Sequence, residues 1–284
     1  MQSNEHAVNR LCQLLSVSRS GYYAWRQRGP SLRTQEDNRL KEVTQREFDQ
    51  SRGTYGSRRL AHRLRELGHR CSRRRVARLM RELGLVARQK RKRAPRTTIV
   101  DVEQRAAPNV LEQTFTADYP HQIWVADITY IDTMQGWAYL AAIVDVYTRQ
   151  VIGWALADHM RTELIETAFQ MAVGRCHPPA GLIHHSDRGS QYTSNDYQKT
   201  LRDHQVMPSM SRTGNCYDNA LAESFFSTLK FECVIEPFQS VSEARQTIFE
   251  YIEVWYNRQR LHSSLDYQSP AVFEQIYWDN LSVH

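Results

Sequence analysis

Apolar residues in the first third of the chain recur every three or four positions, which is the spacing of amphipathic helices. In residues 4 to 29 this pattern predicts two short helices joined at a Ser-Val-Ser turn, and a charged helical stretch follows. A second helical pair is predicted in residues 56 to 85, with an apolar face formed by Leu60, Leu64, Leu67, Val76, Leu79, Met80 and Leu83. We therefore expect a small helix-turn-helix-like unit in residues 1–30 and a helical domain in residues 31–87.

The second pair has the start and stop signals of a helix-turn-helix. Ser57 and Ser72 are predicted N-caps, as Ser18 is in the first pair. Gly68 and Gly84 stand where a helix ends in a left-handed residue. Two capped helices joined by a short turn are typical of DNA-binding proteins. The second of these helices is predicted to contact DNA through Arg73, Arg74, Arg75 and Arg78. The alternative is a solvated Arg-rich helix that packs on the rest of the protein.

From about residue 120 the pattern changes to strands. Three sequential antiparallel strands are predicted in IWVADITYI, WAYLAAIVDVYT and RQVIGWALAD. Helices and strands then alternate, and two helices follow at 217–232 and 241–258. This order predicts an α/β domain in residues 115–278, a ribonuclease H-like mixed sheet flanked by helices. Residues 88–114 are predicted to be a basic linker between the two domains. Its first part, RQKRKRAPRTT (residues 88–98), lacks apolar periodicity and is predicted to follow a DNA backbone.

Charge separates the chain into unlike parts. Residues 1–100 hold 25 Lys and Arg against 8 Asp and Glu, whereas the remaining residues hold 12 against 23. A basic region with an excess of Arg is typical of a protein that binds a phosphate backbone. The five cysteines never form a Cys-x-x-Cys spacing, so neither a zinc site nor a redox motif is expected. With no long apolar run and a polar start, the chain is expected to be a cytoplasmic, DNA-associated protein.

Three acids carry the predicted chemistry. Asp127 and Asp187 occur at strand-like positions, and Glu223 follows on a predicted helix with 35 residues between it and Asp187. Carboxylates are the ligands that Mg²⁺ and Mn²⁺ prefer, and two such ions can cleave or join phosphodiesters. We therefore predict that these three acids hold two Mg²⁺ ions, for which Mn²⁺ can substitute. Lys230 lies seven residues after Glu223, on nearly the same helix face, and is a predicted phosphate contact.

Four neighbouring residues leave two interpretations open. His185 shares a strand face with Asp187, so it contacts the scissile phosphate or is a core histidine. Asn219 and Tyr217 hold the terminal nucleotide or pack at the helix start. Asp145 is a fourth acid near the metals or a structural residue. In the stretch EYIEVWYNRQRLHSSLDYQSP the aromatic residues favour core packing, and the YNRQRLH turn is an optional DNA contact.

The motifs WVADITYI, HSDRGSQY, YDNALAESFFSTLKFE and YNRQRLHSSLDYQSPAVFE resemble those of the OrfB transposases of two-reading-frame bacterial insertion sequences, which are related to retroviral integrases. The resemblance covers nearly the whole chain. It implies Asp127, Asp187 and Glu223 as the catalytic triad and Lys230 as its basic partner. It also implies 3′-end cleavage and strand transfer at terminal inverted repeats, DNA integration into a target, and no covalent protein–DNA intermediate.

The resemblance has limits that affect partners. A retroviral integrase begins with a His/His/Cys/Cys zinc domain, which this chain does not match. The first-frame product of such elements carries its own helix-turn-helix and leucine zipper, and residues 1–100 show no sustained heptad run. We therefore expect this chain to work as an oligomer, at least a dimer, on DNA, with that first-frame product as a partner or as a fused portion.

Three alternative functions share some of these sequence features. A ribonuclease H-like nuclease would cleave without strand transfer. A DNA-binding regulator with an inactive core would tolerate loss of any of the three acids, all of which are present. A tyrosine recombinase is suggested only by the His-x-x-Arg from His62 to Arg65, which lies in an Arg-rich helix without a convincing nucleophile downstream. The acids and Lys230 together favour a transposase.

Overall fold

The computed structural model describes residues 6–88, 107–111, 116–212 and 219–282. The chain forms two compact units, Met1–Arg88 and Gln89–His284. Most of the predicted basic linker, residues 88–114, lies outside the described residues. No helix in the described part of the chain is long and apolar enough to cross a membrane.

The described part of the first unit is helical. Its first two helices confirm the predicted pair, because the Ser18 side chain accepts a hydrogen bond from the Gly21 amide at the start of the second helix. The charged stretch forms a third, longer helix, which Ser31 caps through the Thr34 amide. These three helices are α1 (His6–Leu14), α2 (Arg19–Gln27) and α3 (Leu32–Gln50).

The predicted helix-turn-helix consists of α4 (Ser57–Glu66) and α5 (Arg73–Glu82). Ser72 caps α5 by accepting a hydrogen bond from the Arg75 amide, as predicted. The prediction for Ser57 was wrong, because Ser57 is already the first residue of α4, and Gly56 before it offers no side-chain cap. The apolar faces of both helices and of α3 meet in a core that contains the fully buried Leu40, Leu60, Leu64, Val76 and Leu79.

The second unit contains a five-stranded mixed sheet, as the sequence predicted. The strands are β1 (Ile123–Thr133), β2 (Gly136–Asp145), β3 (Val151–Ala157), β4 (Ile183–Ser186) and β5 (Met207–Met210). Their order across the sheet is β3-β2-β1-β4-β5. The first three strands are antiparallel, whereas β4 runs parallel to both β1 and β5. This arrangement brings the carboxyl end of β4 beside the middle of the long strand β1.

One face of the sheet is covered by α6 (Thr162–Cys176). Helix and sheet approach closely at Gly153 of β3, where an added Cβ would lie 2.2 Å from the Ala168 carbonyl oxygen. Only glycine allows this approach, which is a reason for a glycine inside a buried strand. Trp124 and Phe169 pack edge to face within the resulting core.

The remaining helices follow the predicted order with two additions, a short helix soon after β4 and a helix at the end of the described residues. They are α7 (Ser190–Thr193), α8 (Asn195–Asp203), α9 (Ala220–Glu232), α10 (Val241–Phe249) and α11 (Pro270–Ser282). A π-helical segment, Glu250–Tyr256, continues α10. The last predicted helix ended at residue 258, although the predicted domain extended to residue 278. Helix α11 packs Phe273 and Tyr277 against Tyr147.

Candidate active site

The sheet register brings the first two predicted acids side by side. Val125 of β1 is paired with His185 of the parallel strand β4. Extending that register by two residues along both strands places Asp127 opposite Asp187, which immediately follows β4. Because neighbouring strands lie about 4.8 Å apart, the two carboxylates face the same small region of the sheet.

Each of these carboxylates is oriented by a backbone amide. Asp127 Oδ1 accepts a hydrogen bond of 2.8 Å from the Ile128 amide. Asp187 Oδ1 accepts one of 2.9 Å from the Gly189 amide, and a Cβ on Gly189 would lie only 3.0 Å from that oxygen. Among the described residues, neither Oδ2 atom accepts a hydrogen bond, so each acid presents one oxygen to the site.

Helix α9 carries the third acid to the same place. Asn219, directly before the helix, donates a hydrogen bond of 3.3 Å to the Ala126 carbonyl oxygen, which is adjacent to Asp127 on β1. Glu223 follows Asn219 by one helical turn and is exposed. Lys230 is also exposed, two turns further along nearly the same face. The start of α9 is thus attached to the strand that carries Asp127.

The electrostatics agree with a shared site for these four side chains. The pKa of Asp127 is raised to about 8, first by burial and then by Asp187 and Glu223, while Lys230 lowers it. Burial also raises the pKa values of Asp187 and Glu223. Burial and nearby like charges both disfavour the ionised form of a carboxyl. A bound cation would favour that form.

These acids suit a hard divalent ion. Carboxylate oxygens are the ligands that Mg²⁺ and Mn²⁺ prefer, and Mg²⁺ usually keeps water and substrate phosphate among its ligands. Within the described ranges, no three His, Cys, Asp or Glu side chains lie close enough to hold an ion by themselves. An ion at these acids would need further ligands, such as water or substrate phosphate. Asp127, Asp187 and Glu223 are the residues that would hold it.

Tyr192 was missed by sequence reasoning although it belongs to this site. The side chain is fully buried, and its pKa is raised well above the ordinary value by burial and then by Asp127 and Asp187. The charges of both carboxylates thus reach its phenol group. The only signal in the sequence was its place in the HSDRGSQY motif, five residues after Asp187.

The proposed DNA contact of His185 is contradicted by the structure. Its side chain is fully buried, and its ring nitrogens lie 2.9 Å from Ser209 Oγ and 3.1 Å from Ser211 Oγ. A phosphate cannot reach a ring enclosed in this way, so the alternative of a core histidine fits. His184 is also buried, and it pairs with the Tyr197 hydroxyl.

Asp145 is a structural residue and not a fourth acid of the site. It pairs with Trp124 across the sheet, whereas Asp127 pairs with Ala142. This separation of three residues puts the two aspartates on opposite faces. Both Asp145 oxygens accept hydrogen bonds, from the Thr148 amide and hydroxyl and from the His121 amide.

The two candidates for nucleotide contact have different outcomes. Tyr217 lies outside the described residues. Asn219 is buried, and its amide group is bonded to β1, so its geometry favours packing at the helix start. In the YNRQRLH turn, Arg260 and His262 are buried, which contradicts a DNA contact for these two residues. Trp255 and Tyr256 are core residues, as expected.

The arginines of α5 divide into two groups. Arg75 binds Asp37 and Glu36, at 2.7 Å and 2.8 Å, and Arg78 binds Asp37 and Glu82, each at 2.6 Å. The pairs with Asp37 and Glu36 join α5 to α3, whereas Arg78 and Glu82 both belong to α5. Because Arg75 and Arg78 are bound to acids, they do not support the expectation that all four arginines face DNA, although the Arg78 side chain remains 39% exposed. Arg73 and Arg74 are exposed on the first turn of α5.

Models of known protein families match both units of the chain. An HTH-like domain model matches residues 35–93, and two integrase core domain models match residues 117–216 and 204–270. The chain is 50% identical over 269 residues to the insertion element IS600 uncharacterized 31 kDa protein of Shigella sonnei, covering 94% of this chain and 98% of that protein. It is 42% identical over 276 residues to transposase InsF for insertion sequence IS3A of Escherichia coli (strain K12), covering 95% and 94%.

Among solved structures, a chain of the simian T-cell lymphotropic virus intasome in complex with PP2A regulatory subunit B56 gamma is similar at 13% identity and a TM-score of 0.47. That match covers 75% of this chain and 73% of the viral one. The sequence relatives extend over nearly the whole chain at much higher identity. The protein therefore belongs to the OrfB-type transposases of insertion sequences, which carry an integrase core domain.

Proposed function

We propose that this transposase cleaves the 3′ ends of its element and joins them to target DNA at a site formed by Asp127, Asp187 and Glu223. The single observation that supports this most strongly is the Asp127 carboxyl, whose pKa rises to about 8 in a cluster of two further acids and one lysine. The relatives whose names give an activity are transposases for insertion sequences, which supports the same reaction class.

The three acids would hold two Mg²⁺ ions, with Mn²⁺ as a substitute. When bound, such ions activate the attacking oxygen and stabilise the leaving oxygen of a phosphodiester. Asp127, whose pKa is raised by both other acids, would be the ligand shared by the two ions. Lys230, on the Glu223 face of α9, is positioned to bind a phosphate of the DNA. Tyr192, a buried residue whose pKa both aspartates raise, would help to exclude water from this region.

The helical unit would hold the element end. Arg73 and Arg74 project from the start of α5, the second helix of the helix-turn-helix, where such helices contact DNA. Arg75 and Arg78 would act indirectly, since their ion pairs with Asp37 fix α5 on α3. The DNA partners proposed are the terminal inverted repeats and a target duplex. Because two ends must be joined, we propose an oligomer on DNA, assisted by the first-frame product of the same element.

A strand-transfer assay tests this function. The full chain is incubated with a labelled duplex carrying a candidate element end and a plasmid target, in Mg²⁺, in Mn²⁺ or in EDTA. We expect joined products in either metal, none in EDTA, and none with Glu223→Gln. Glu236→Gln is the matched control, because Glu236 is an exposed acid just beyond α9 and should leave joining intact.

Other outcomes identify the rival functions. Cleavage without joining would favour a nuclease, or a transposase that needs its first-frame partner, and repeating the assay with the fused form separates the two. DNA binding without any cleavage, even in the fused form, would favour a regulator with an inactive core.

A further inference from the structure

A buried ion pair lies on the side of α9 that faces away from Glu223. Glu232, in the last turn of the helix, is 3% exposed, and Arg260 is 6% exposed. The guanidinium group donates to both carboxylate oxygens: Nη2 lies 2.8 Å from Oε1, and Nε lies 2.9 Å from Oε2. This two-point geometry fixes the orientation of both groups as well as their distance.

Further polar contacts complete this cluster. The Tyr251 hydroxyl donates a hydrogen bond of 2.9 Å to Glu232 Oε2, and the Trp255 ring nitrogen lies 3.5 Å from the same atom. Arg260 Nη1 lies 3.3 Å from the ring nitrogen of His262. The polar groups of the pair are thus satisfied within the fold, which a buried charge requires.

A second contact attaches the same side of the helix near its start. The Phe225 ring packs edge to face on Tyr256, with centroids 5.0 Å apart. Tyr256 in turn lies under the Arg260 guanidinium, 5.7 Å from the ring centroid. Phe225 and Glu232 are seven residues apart, so they form one seam along the helix, and both bind the segment that follows α10.

The seam has a fixed relation to the active-site residues of α9. Phe225 follows Glu223 by two residues, and Glu232 follows Lys230 by two residues. Two residues turn a helix by about 200°, so the seam lies nearly opposite the Glu223 and Lys230 face. Burial agrees with this geometry, because Phe225 and Glu232 are buried while Glu223 and Lys230 are exposed.

We propose that Glu232 and Arg260 are positioning residues that set the rotation of α9, so that Glu223 and Lys230 both point at the metal ions and the DNA. This inference rests on the proposed function of Glu223. An apolar seam tolerates a helix that slides or turns, because apolar contacts have no direction. A bidentate ion pair exists at one rotation only, and metal ligands must lie within about 0.2 Å of their ideal distances. The YNRQRLH segment, which contains Arg260, thereby orients the active-site residues from the opposite side of α9.

The test separates positioning from stability. In the main variant, Glu232→Met, Arg260→Met and Tyr251→Phe are combined, which removes both buried charges and the Tyr251 hydroxyl together. The control, Arg175→Met with Glu253→Gln, removes another ion pair of the same unit, 2.9 Å long, that does not involve α9. The Trp154 ring nitrogen donates a hydrogen bond to Glu253. The glutamine introduced in this control keeps a side-chain oxygen that can accept it. Phe225→Leu loosens the other end of the seam and leaves the ion pair intact.

Mn²⁺ affinity is measured by calorimetry on the full chain, with circular dichroism as the check on folding. We expect the control to match wild type and the main variant to bind Mn²⁺ at least about tenfold more weakly, as changes behind metal ligands usually do. Phe225→Leu should weaken binding in the same direction by a smaller factor. Strand transfer by the main variant should need correspondingly more Mg²⁺ for half its maximal rate.

Wild-type Mn²⁺ affinity in a folded main variant would overturn the positioning role. If that variant does not fold, Phe225→Leu decides: unchanged Mn²⁺ affinity overturns the inference, and weaker affinity supports it. Glu223→Gln identifies failure of the underlying function. Should it bind Mn²⁺ as tightly as wild type, the proposed active site fails, and the positioning inference fails with it.

Discussion

Two aspartates of this chain have charged neighbours of opposite sign. In the helical unit, Asp37 lies between Arg78 and Arg75, and their hydrogen bonds lower its pKa. In the sheet unit, burial and then the acids Asp187 and Glu223 raise the pKa of Asp127 to about 8, while Lys230 lowers it. The charge of the first carboxylate is balanced within the chain. The ionised form of the second is disfavoured until a cation balances it.

The difference distinguishes a structural acid from a functional one. An acid paired with two arginines stabilises the fold and has little left to offer a ligand. An acid surrounded by acids destabilises the fold unless a cation arrives, so its surroundings serve something other than stability. The same contrast divides the arginines, since Arg75 and Arg78 are bound to acids, whereas Arg73 and Arg74 are exposed.

The largest effect is expected from removing an acid of the active site. Asp127→Asn or Asp187→Asn should lower the rates of cleavage and joining by roughly a thousandfold or more, because the lost stabilisation of charge is several kcal/mol. DNA affinity of the helical unit should stay unchanged. Asp132→Asn is the control, since Asp132 is an exposed acid on the same strand. Cleavage that survived in either variant would remove that aspartate from the site.

A smaller effect is expected for DNA binding. Arg73→Ala with Arg74→Ala should weaken binding and reduce the slope of log affinity against log salt by about 2, one for each lost phosphate contact. Arg78→Ala should leave that slope unchanged, because its guanidinium group is bound to Asp37 and Glu82. A filter-binding titration at several salt concentrations gives both slopes. An equal loss of slope in the two variants would contradict the division of the arginines.

The effect on the helical unit should be smaller again and should depend on pH. Asp37→Asn removes the acceptor of two arginines, so hydrogen exchange of the α3 and α5 amides should speed up at neutral pH. Since the folded pKa of Asp37 lies below its unfolded value, its stabilisation is present above the unfolded pKa, about 3.9, and is lost as pH falls through the folded pKa. The difference between variant and wild type should therefore narrow in acid. A difference that widened would reverse the assigned role.

Much of the fold was predictable from local patterns. Caps such as Ser72 and the alternation in β1 act over a few residues, so the sequence shows them directly. Ser57 was misplaced because a serine can stand as the cap or as the first residue of a helix. Helix α11 was missed because its packing partner, Tyr147, lies far away in sequence.

The acids of the site could be predicted from the sequence, whereas the contacts of the side chains around them could not. Asp127 and Asp187 occur in motifs whose composition indicates metal chemistry. The partners of His185 and Arg260 were invisible, because a histidine or an arginine looks the same in sequence whether it binds DNA or a buried acceptor. Only the structure shows that His185 is hydrogen-bonded to Ser209 and that Arg260 is hydrogen-bonded to Glu232.

The most direct test of this contrast is the stability of Asp127→Asn in the absence and presence of a divalent ion. Unfolding by urea is followed through tryptophan fluorescence, which reports on the sheet unit through the buried Trp124. In EDTA at pH 7 we expect Asp127→Asn to be more stable than wild type, on the order of 2 kcal/mol, because the buried Asp127 carboxyl takes up a proton on folding and asparagine does not. Mg²⁺ should then stabilise wild type and leave the variant nearly unchanged. A variant less stable than wild type in EDTA, or a wild type that gains nothing from Mg²⁺, would contradict the assignment of these acids to a metal-dependent active site.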